Sequence, residues 1–257
     1  MPPTPTVTRS RRDGQVAVIE LNRPDDGNSF TLPMLRELAD TVERGAGDPD
    51  VRAVVLTGAG RHFSIGASQE LLEHLRVSPP VTVQDEVYSL AQGAARRLRT
   101  CRKPTVAAIS GAAVTLGCEL ALQCDFRIVD RTASFHEAWI RVGLLPPLGG
   151  LTLLPHLVGL SLASEMILRG RRVGATEAVR IGLANDVAPD GELVERACSL
   201  AAELGALPAD AYRFAKEALH RGLHPMVEAE LTAASMAQSI LMSTEAFRGS
   251  VERLRTG

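Results

Sequence analysis

The chain has 257 residues, four cysteines and a formal net charge of −2 at neutral pH. This length can bury a sizeable core without disulfides or metals, and the scattered arginines argue against a nucleic-acid groove. No cysteine pair has the spacing of zinc ligands, and no apolar run reaches the roughly 18 residues of a membrane span. We therefore expect a cytoplasmic protein with no metal, nucleic-acid or membrane partner.

The first half of the chain alternates between strand-like and helix-like patterns. Residues 16–21 (VAVIEL) and 51–58 (VRAVVLTG) are apolar runs rich in β-branched side chains, which predicts buried strands. Between them, residues 32–42 place apolar side chains at helical spacing. A short helix near 69–75 and a long helix over about 83–101 are expected to follow.

The second part continues this alternation. Another buried strand is expected at 103–110 (KPTVAAIS), ended by Gly111 and followed by an apolar helix within 114–125 (VTLGCELALQCD). Short strands are expected at 125–129 and 133–139. Strands and helices that alternate with short loops predict an α/β domain.

From about residue 190 the pattern is helical only. Its alanine, leucine and methionine content is typical of a surface that packs against a neighbouring subunit, so we expect a core domain over 1–190 and a helical region over 191–257. The expected helices span 191–204, 209–221 and 226–253, the last with a break near Thr244.

Glu119 is a carboxylate inside the apolar helix, where burial costs several kcal/mol unless the charge is paired or neutralised. Thr115 is expected to cap this helix, which leaves the amide of Leu116 without a partner within the helix. One interpretation is a satisfied core pair with Gln123, four residues further on the same face. The other is a catalytic carboxylate, and the helix alone does not decide between them.

A second turn of the same kind favours catalysis. Residues 61–68 (RHFSIGAS) leave a buried strand and turn at Gly66 into a helix, with free amides around Ala67. Two amides from separate turns that converge on one oxygen form an oxyanion hole, each typically worth roughly 3–4 kcal/mol in the transition state. A carboxylate beside such a hole acts as a general base or acid.

Three segments in this order resemble one protein family, the enoyl-CoA hydratase/isomerase (crotonase) superfamily. They are VRAVVLTGAGRHFSIGAS, KPTVAAISGAAVTLGCELALQCDFRIVDRTASF and VGLLPPLGGLTLLPHLVGLSLASEMILRGRRVGATEAVRIGLANDV. The resemblance covers roughly residues 14–255. It implies a crotonase-like ββα spiral with a helical C-terminal oligomerisation region, which forms a homotrimer or a dimer of trimers. It also implies an acyl-CoA thioester substrate and no separate cofactor, because CoA enters as part of the substrate.

The resemblance also implies roles for individual residues. The amides of Ala67 and Leu116 correspond to the family's oxyanion hole, and Glu119 corresponds to its acid/base glutamate. The further implied or expected substrate contacts are Arg23, a candidate for the CoA phosphates, with Ser64, Gly66, Ser68, Leu71, Gly117 and Trp139.

The chain departs from the family at the second glutamate that hydratases usually carry, where it has Trp139. Glu137 lies two residues earlier, on the same face of the expected strand, and is a candidate for a displaced second catalytic carboxylate. The alternatives are a solvated or salt-bridged Glu137 and a Trp139 that packs in the core or lines the acyl pocket. A tryptophan here is also similar to the 4-chlorobenzoyl-CoA dehalogenase branch, but Pro147 stands where that branch needs an aspartate.

The expected activity is therefore that of an enoyl-CoA hydratase/isomerase-like enzyme, a lyase or isomerase. Double-bond isomerisation and decarboxylation through the same enolate remain open, as does a carrier-protein thioester in place of CoA. A member that binds CoA thioesters without catalysis is a further alternative. The last alternative is hydrolysis of the thioester through the Cys118 thiol.

Overall fold

Nine strands form two sheets in the computed structural model, which describes residues 5–12 and 15–256. The strands are β1 (Val7–Arg12), β2 (Val16–Leu21), β3 (Ala53–Gly58), β4 (Thr105–Ile109), β5 (Ala112–Val114), β6 (Phe126–Val129), β7 (Ser134–His136), β8 (Arg172–Gly174) and β9 (Asp186–Val187). The larger sheet has the order β1-β2-β3-β4-β6-β9, and the smaller one has the order β5-β7-β8. In the larger sheet β1 is antiparallel to β2, and all other neighbours are parallel.

Helices cover the sheets. Those in the described part of the chain are α1 (Leu32–Gly47), α2 (Gln69–Val77), α3 (Pro80–Val83), α4 (Ser89–Arg99), α5 (Leu116–Leu122), α6 (Gly150–Val158), α7 (Leu160–Leu168), α8 (Ala175–Arg180), α9 (Leu193–Gly205), α10 (Ala209–His220), α11 (Leu223–Leu241) and α12 (Glu245–Thr256). A π-helical turn, Gln84–Tyr88, joins α3 to α4, and 3₁₀ turns lie at Pro24–Asp26 and Ala138–Val142. The break near Thr244 is confirmed by the gap between α11 and α12.

The strands β2, β3 and β4 of the larger sheet are buried on both faces, as their continuous apolar sequences require. Alternate residues of β3 belong to different clusters, with Val54 and Leu56 in one and Val55 in the other. The helix α1 contributes to the first cluster, whereas Ala197 and Ala201 of α9 belong to the second. The expected α/β class is thus confirmed. The division of the chain at residue 190 stays a prediction, and residues 1–4, 13–14 and 257 lie outside the described residues.

The strand expected at 133–139 is wrong in its second half. Its partner β5 ends at Val114, where the chain turns into α5, so the residues after His136 have no ladder to continue. The chain therefore leaves the sheet at Glu137 and forms the 3₁₀ turn Ala138–Val142. Glu137 and Trp139 do not share a strand face.

Candidate active site

Two turns meet at the carboxyl edge of the larger sheet because they follow the neighbouring parallel strands β3 and β4. The amide of Ser64 donates to the Ala112 carbonyl at 3.0 Å, and the amide of Val114 donates to the Ser64 carbonyl at 2.9 Å. Gly66 has φ +95°, and a Cβ on it would lie 2.0 Å from Oγ1 of Thr115. The sequence needs glycine here for both the backbone conformation and the close approach.

Each turn presents one free amide. In residues 5–12 and 15–256 no acceptor is bonded to the amide of Ala67 or of Leu116. Thr115, immediately before α5, has φ 48° and ψ −113°, a region that costs a non-glycine residue about 1–3 kcal/mol. Its hydroxyl makes no capping bond, contrary to expectation, because a capping side chain needs extended backbone at that position. The helix α5 instead begins after the strained Thr115, and the amide of Leu116, its first residue, stays free beside the turn around Gly66.

Glu119 is fully buried, and its carboxylate accepts three hydrogen bonds. The indole Nε1 of Trp139 donates to Oε1 at 3.1 Å, and the amides of Leu148 and Gly150 donate to Oε2 at 2.7 and 2.9 Å. A Cβ on Gly150 would lie 3.0 Å from Oε2, so glycine allows this approach. Trp139 is therefore more than the expected core or pocket residue, because it also binds the carboxylate.

Gln123 does not pair with the Glu119 carboxylate, as the core interpretation required. Its Nε2 donates to the Leu148 carbonyl at 2.7 Å and to the backbone carbonyl of Glu119 at 3.3 Å. Its Oε1 accepts from Nη1 of Arg99 at 2.9 Å. Gln123 thus supports the loop that supplies the amide donors.

Glu137 is also fully buried, and no donor in the described chain makes a hydrogen bond to either of its carboxyl oxygens. Burial raises the pKa of Glu137 to about 8. The Cys118 thiol and the Trp139 indole lie near enough to lower this pKa in part. Glu137 is thus neither solvated nor salt-bridged.

The two carboxyl groups are electrostatic neighbours. Burial, and then the charge of Glu137, raise the pKa of Glu119, whereas the amides of Gly150 and Leu148 lower it. Three N–H donors with good geometry stabilise the charged form of Glu119, whereas Glu137 has only the Cys118 thiol and the Trp139 indole near its carboxyl group, neither of them at hydrogen-bond geometry. Burial raises the pKa of both carboxyl groups, and because of its three N–H donors we infer that Glu119 is the first of the two to ionise, which leaves the proton on Glu137.

Comparison with known proteins identifies the family of this site. The family model described as enoyl-CoA hydratase/isomerase matches residues 11–255. The chain belongs to this family. The short-chain-enoyl-CoA hydratase of Clostridium acetobutylicum is 33% identical over 236 residues, which cover 91% of this chain and 88% of that protein. The 2,3-dehydroadipyl-CoA hydratase of Escherichia coli is 33% identical over 91% of this chain and 89% of its own.

Solved structures agree with the family assignment. A crystal structure of an enoyl-CoA hydratase/isomerase from Mycobacterium paratuberculosis has a TM-score of 0.90 and 34% identity, covering 98% of this chain and all of that one. The expected crotonase-like fold with a helical C-terminal region is therefore confirmed. Members of this enoyl-CoA hydratase/isomerase family are lyases or isomerases, and the prediction of an enzyme of that kind is confirmed as well.

The other expected contacts of this family member lie around the two turns. Ser64 donates from its hydroxyl to the Asn28 carbonyl at 2.8 Å, and Ser68 caps α2 by accepting from the Leu71 amide at 3.1 Å. The Leu71 side chain is buried in the core, and a Cβ on Gly117 would lie 2.7 Å from Cβ of Ser64. These residues shape the turns, and their contact with substrate stays a prediction.

Arg23 lies apart from the carboxylates. Its Nη2 bonds Asp26 at 2.5 Å, and the turn Pro24–Asp26 lines an open cleft of about 540 Å³ together with Arg61 and His62. A CoA contact at Arg23 stays a prediction.

Two further buried side chains, Tyr88 and Cys118, lie near the two glutamates. The Tyr88 hydroxyl, carried inward by the π-helical turn, has no hydrogen-bond partner among the described residues. Burial and then the nearby Glu119 raise the pKa of Tyr88, so the phenol stays neutral. Burial likewise raises the pKa of the Cys118 thiol well above its usual value, which disfavours the thiolate that hydrolysis would need.

Sequence reasoning missed Tyr88 and the donors that hold Glu119. Two sequence signals were available for these donors. The single tryptophan was one, since a buried indole N–H usually finds a hydrogen-bond acceptor. The Gly149–Gly150 pair was the other, because glycine lets a backbone amide approach closely. No group of three or more His, Cys, Asp or Glu that could hold a metal occurs in the described residues. No helix there is long and apolar enough to cross a membrane, and the expected cytoplasmic location stays a prediction.

Replacing Trp139 with phenylalanine should shift the acidic limb of the pH profile for kcat/KM upward by about one unit. The reason is that a hydrogen bond to a charged group contributes about 1.5–3 kcal/mol, and one pKa unit corresponds to about 1.4 kcal/mol. Tyr212→Phe is the matched control, because it removes a donor to the Asp125 carboxylate (3.1 Å) at the other edge of the sheet. An unshifted acidic limb in Trp139→Phe would contradict the assignment of Trp139.

Proposed function

We propose that this enzyme adds water across the 2,3 double bond of an enoyl-CoA thioester. The observation that carries the proposal is the geometry of α5: its first residue, Leu116, offers a free amide, and Glu119 one turn later is held as an anion by three N–H donors. The relatives named as short-chain-enoyl-CoA hydratase and 2,3-dehydroadipyl-CoA hydratase support the same reaction class.

The amides of Ala67 and Leu116 stabilise the enolate. As the water oxygen bonds to carbon 3, the electron pair of the double bond moves toward the thioester carbonyl, whose oxygen gains negative charge. Two preorganised amides bind that oxygen more strongly in the transition state than in the ground state. The close packing of Gly66 on Thr115 supports their convergence.

The two glutamates divide the proton transfers. Ionised Glu119 takes a proton from the attacking water, and protonated Glu137 supplies the proton that carbon 2 receives. One proton then returns from Glu119 to Glu137, so the pair ends in its starting state and the substrate has gained one water molecule. This division removes the difficulty that a single carboxylate would have as both base and acid.

A specific observation favours a second candidate, double-bond isomerisation. The carboxyl oxygens of Glu137 have no donor in the described structure to orient them. If Glu137 only tunes its neighbour, Glu119 alone moves a proton from carbon 2 to carbon 4 of a 3-enoyl thioester. Decarboxylation of a β-carboxyacyl thioester would use the same enolate.

Assays with a panel of thioesters separate these functions. We expect conversion of crotonyl-CoA to 3-hydroxybutyryl-CoA. Turnover of a 3-enoyl-CoA or of malonyl-CoA, without hydration, would replace the hydratase proposal with isomerase or decarboxylase. Calorimetric binding of all three thioesters without any turnover would indicate a non-catalytic member. Activity on the carrier-protein thioester alone would exclude CoA as the carrier.

We also propose a homotrimer or a dimer of trimers. Large apolar side chains stay exposed on the second half of α11, away from α10, including Met236 and Ile240. Large apolar side chains left exposed on a helix are typical of a surface that packs against another subunit. Light scattering on the purified protein should give the mass of three or six chains of 27.4 kDa each. A monomer would contradict the proposal.

A further inference from the structure

A cavity of about 430 Å³ lies between the end of α4 and the hairpin of α10 and α11. Its wall is strongly basic, with two histidines and a single carboxylate, Glu217. The arginine and lysine residues that line it are Arg99, Arg102, Arg213, Lys216 and Arg221. None of these residues takes part in the proposed reaction.

This basic cavity and the catalytic site lie at opposite edges of the larger sheet. Arg99 and Arg102 precede the amino end of β4, whereas Thr115 and Glu119 follow its carboxyl end. The five residues of β4 span about 17 Å at the usual rise of a strand. The cavity opens away from the two carboxylates, although Arg99 in its wall also donates from Nη1 to Oε1 of Gln123 at 2.9 Å, behind the loop that holds Glu119.

The ion pairs of the cavity leave positive charge unmatched. Lys216 bonds Asp125 at 2.8 Å, and Arg99 bonds Glu228 at 2.6 Å. Arg213 reaches Asp210 and Glu217 only at 3.5 Å.

Two arginines at the cavity have no ion-pair partner in the described part of the chain. Within the described residues no carboxylate lies within 4.0 Å of the side-chain nitrogens of Arg102 or Arg221, both exposed at the cavity. Nε of Arg99 is buried at the same wall without a hydrogen-bond partner, in a residue that is only 4% exposed. A buried, unpartnered N–H of a charged group is costly unless an acceptor completes it.

We propose that the basic cavity binds a phosphate-bearing small molecule. Guanidinium groups offer paired N–H donors that match phosphate oxygens, and several of them around one cavity favour a group with more oxygens than a carboxylate. The volume lies in the range of small-molecule sites. The site goes beyond the proposed function, since it shares no residue with it.

Titration calorimetry of the full-length protein with inorganic pyrophosphate tests this site. We expect one binding event per chain, weakened by added NaCl because exposed charges are screened. The double variant Arg102→Ala/Arg221→Ala should lower the affinity at least tenfold, which is about 1.4 kcal/mol. Both side chains are exposed, so the variant should keep its circular dichroism spectrum. Parallel titrations with inorganic phosphate and ADP distinguish a single phosphate from a nucleotide as the ligand.

Two matched controls locate the binding. Arg36→Ala removes an exposed arginine of α1 outside the cavity and should leave the pyrophosphate affinity unchanged. Arg23→Ala should do the same, although Arg23 is the candidate contact for CoA phosphates. The proposal is overturned by absent binding, by unchanged affinity in the double variant, or by loss of binding in Arg23→Ala. None of these readouts depends on turnover, so failure of the proposed reaction would leave them interpretable.

Discussion

Glu119→Gln is expected to lower the turnover of crotonyl-CoA by at least about 100-fold, the scale of a lost general acid or base. Glutamine keeps the volume of the side chain but cannot take a proton from water. Its amide oxygen can still accept from Leu148 and Gly150, while its NH₂ group faces the Trp139 indole N–H, donor against donor. KM should change far less than kcat, since the amides of Ala67 and Leu116 are untouched.

The control for this experiment is Glu230→Gln. Glu230 is a partly buried carboxylate that accepts from the Leu151 amide at 3.1 Å, next to the loop that holds Glu119. It has no part in the proposed proton transfers, but its charge raises the pKa of both Glu119 and Glu137. Its variant should therefore keep nearly wild-type turnover at its pH optimum, with the acidic limb of the profile moved to lower pH. Wild-type turnover in Glu119→Gln would remove Glu119 from the mechanism.

Glu137→Gln is expected to remove a large part of the pH dependence of stability. The pKa of Glu137 rises from 4.5 in the unfolded chain to about 8 in the folded one, because burial disfavours the charged form. The folded state therefore binds this proton more tightly, and the associated stability is complete below pH 4.5 and is lost as pH rises through about 8. Between pH 5.5 and 8.5 the wild type should lose about 3 kcal/mol through this group.

Urea unfolding at pH 5.5 and 8.5 measures this effect in the wild type and in Glu137→Gln. The glutamine variant cannot ionise, so its free energy of unfolding should fall less over this interval, by about 3 kcal/mol. Glu70→Gln, a change at an exposed glutamate of α2, should retain the wild-type dependence. Equal pH dependence in the wild type and Glu137→Gln would show that Glu137 is not a buried acid.

Most strands and helices, and the two turns with free amides, could be predicted from the sequence. The strands β2, β3 and β4 follow from continuous β-branched and alanine runs, which are local signals of burial on both faces. The positions of Ala67 and Leu116 follow from glycines placed where a strand ends. Because β3 and β4 are parallel neighbours, a local pattern was enough to bring these turns to one edge.

The environment of the two carboxyl groups, Glu119 and Glu137, was decided by tertiary structure. The donors to Glu119 come from Trp139, Leu148 and Gly150, which are 20 to 31 residues away. Glu137 follows the last residue of β7, which ends where its partner β5 does, so the face predicted from strand alternation does not exist. A carboxyl pKa depends on the burial and donors around it, which no local pattern contains.

The basic cavity was also decided by tertiary structure. The sequence by itself determined the strands, the helices and the glycine turns, because backbone preference and apolar spacing act over a few residues. Only the tertiary structure placed the end of α4 against α10 and α11, more than a hundred residues later, and gathered scattered arginines around one cavity. Charged side chains that are far apart in the sequence form a binding site only when packing brings them close in space, since Coulomb energy depends on the distance between charges.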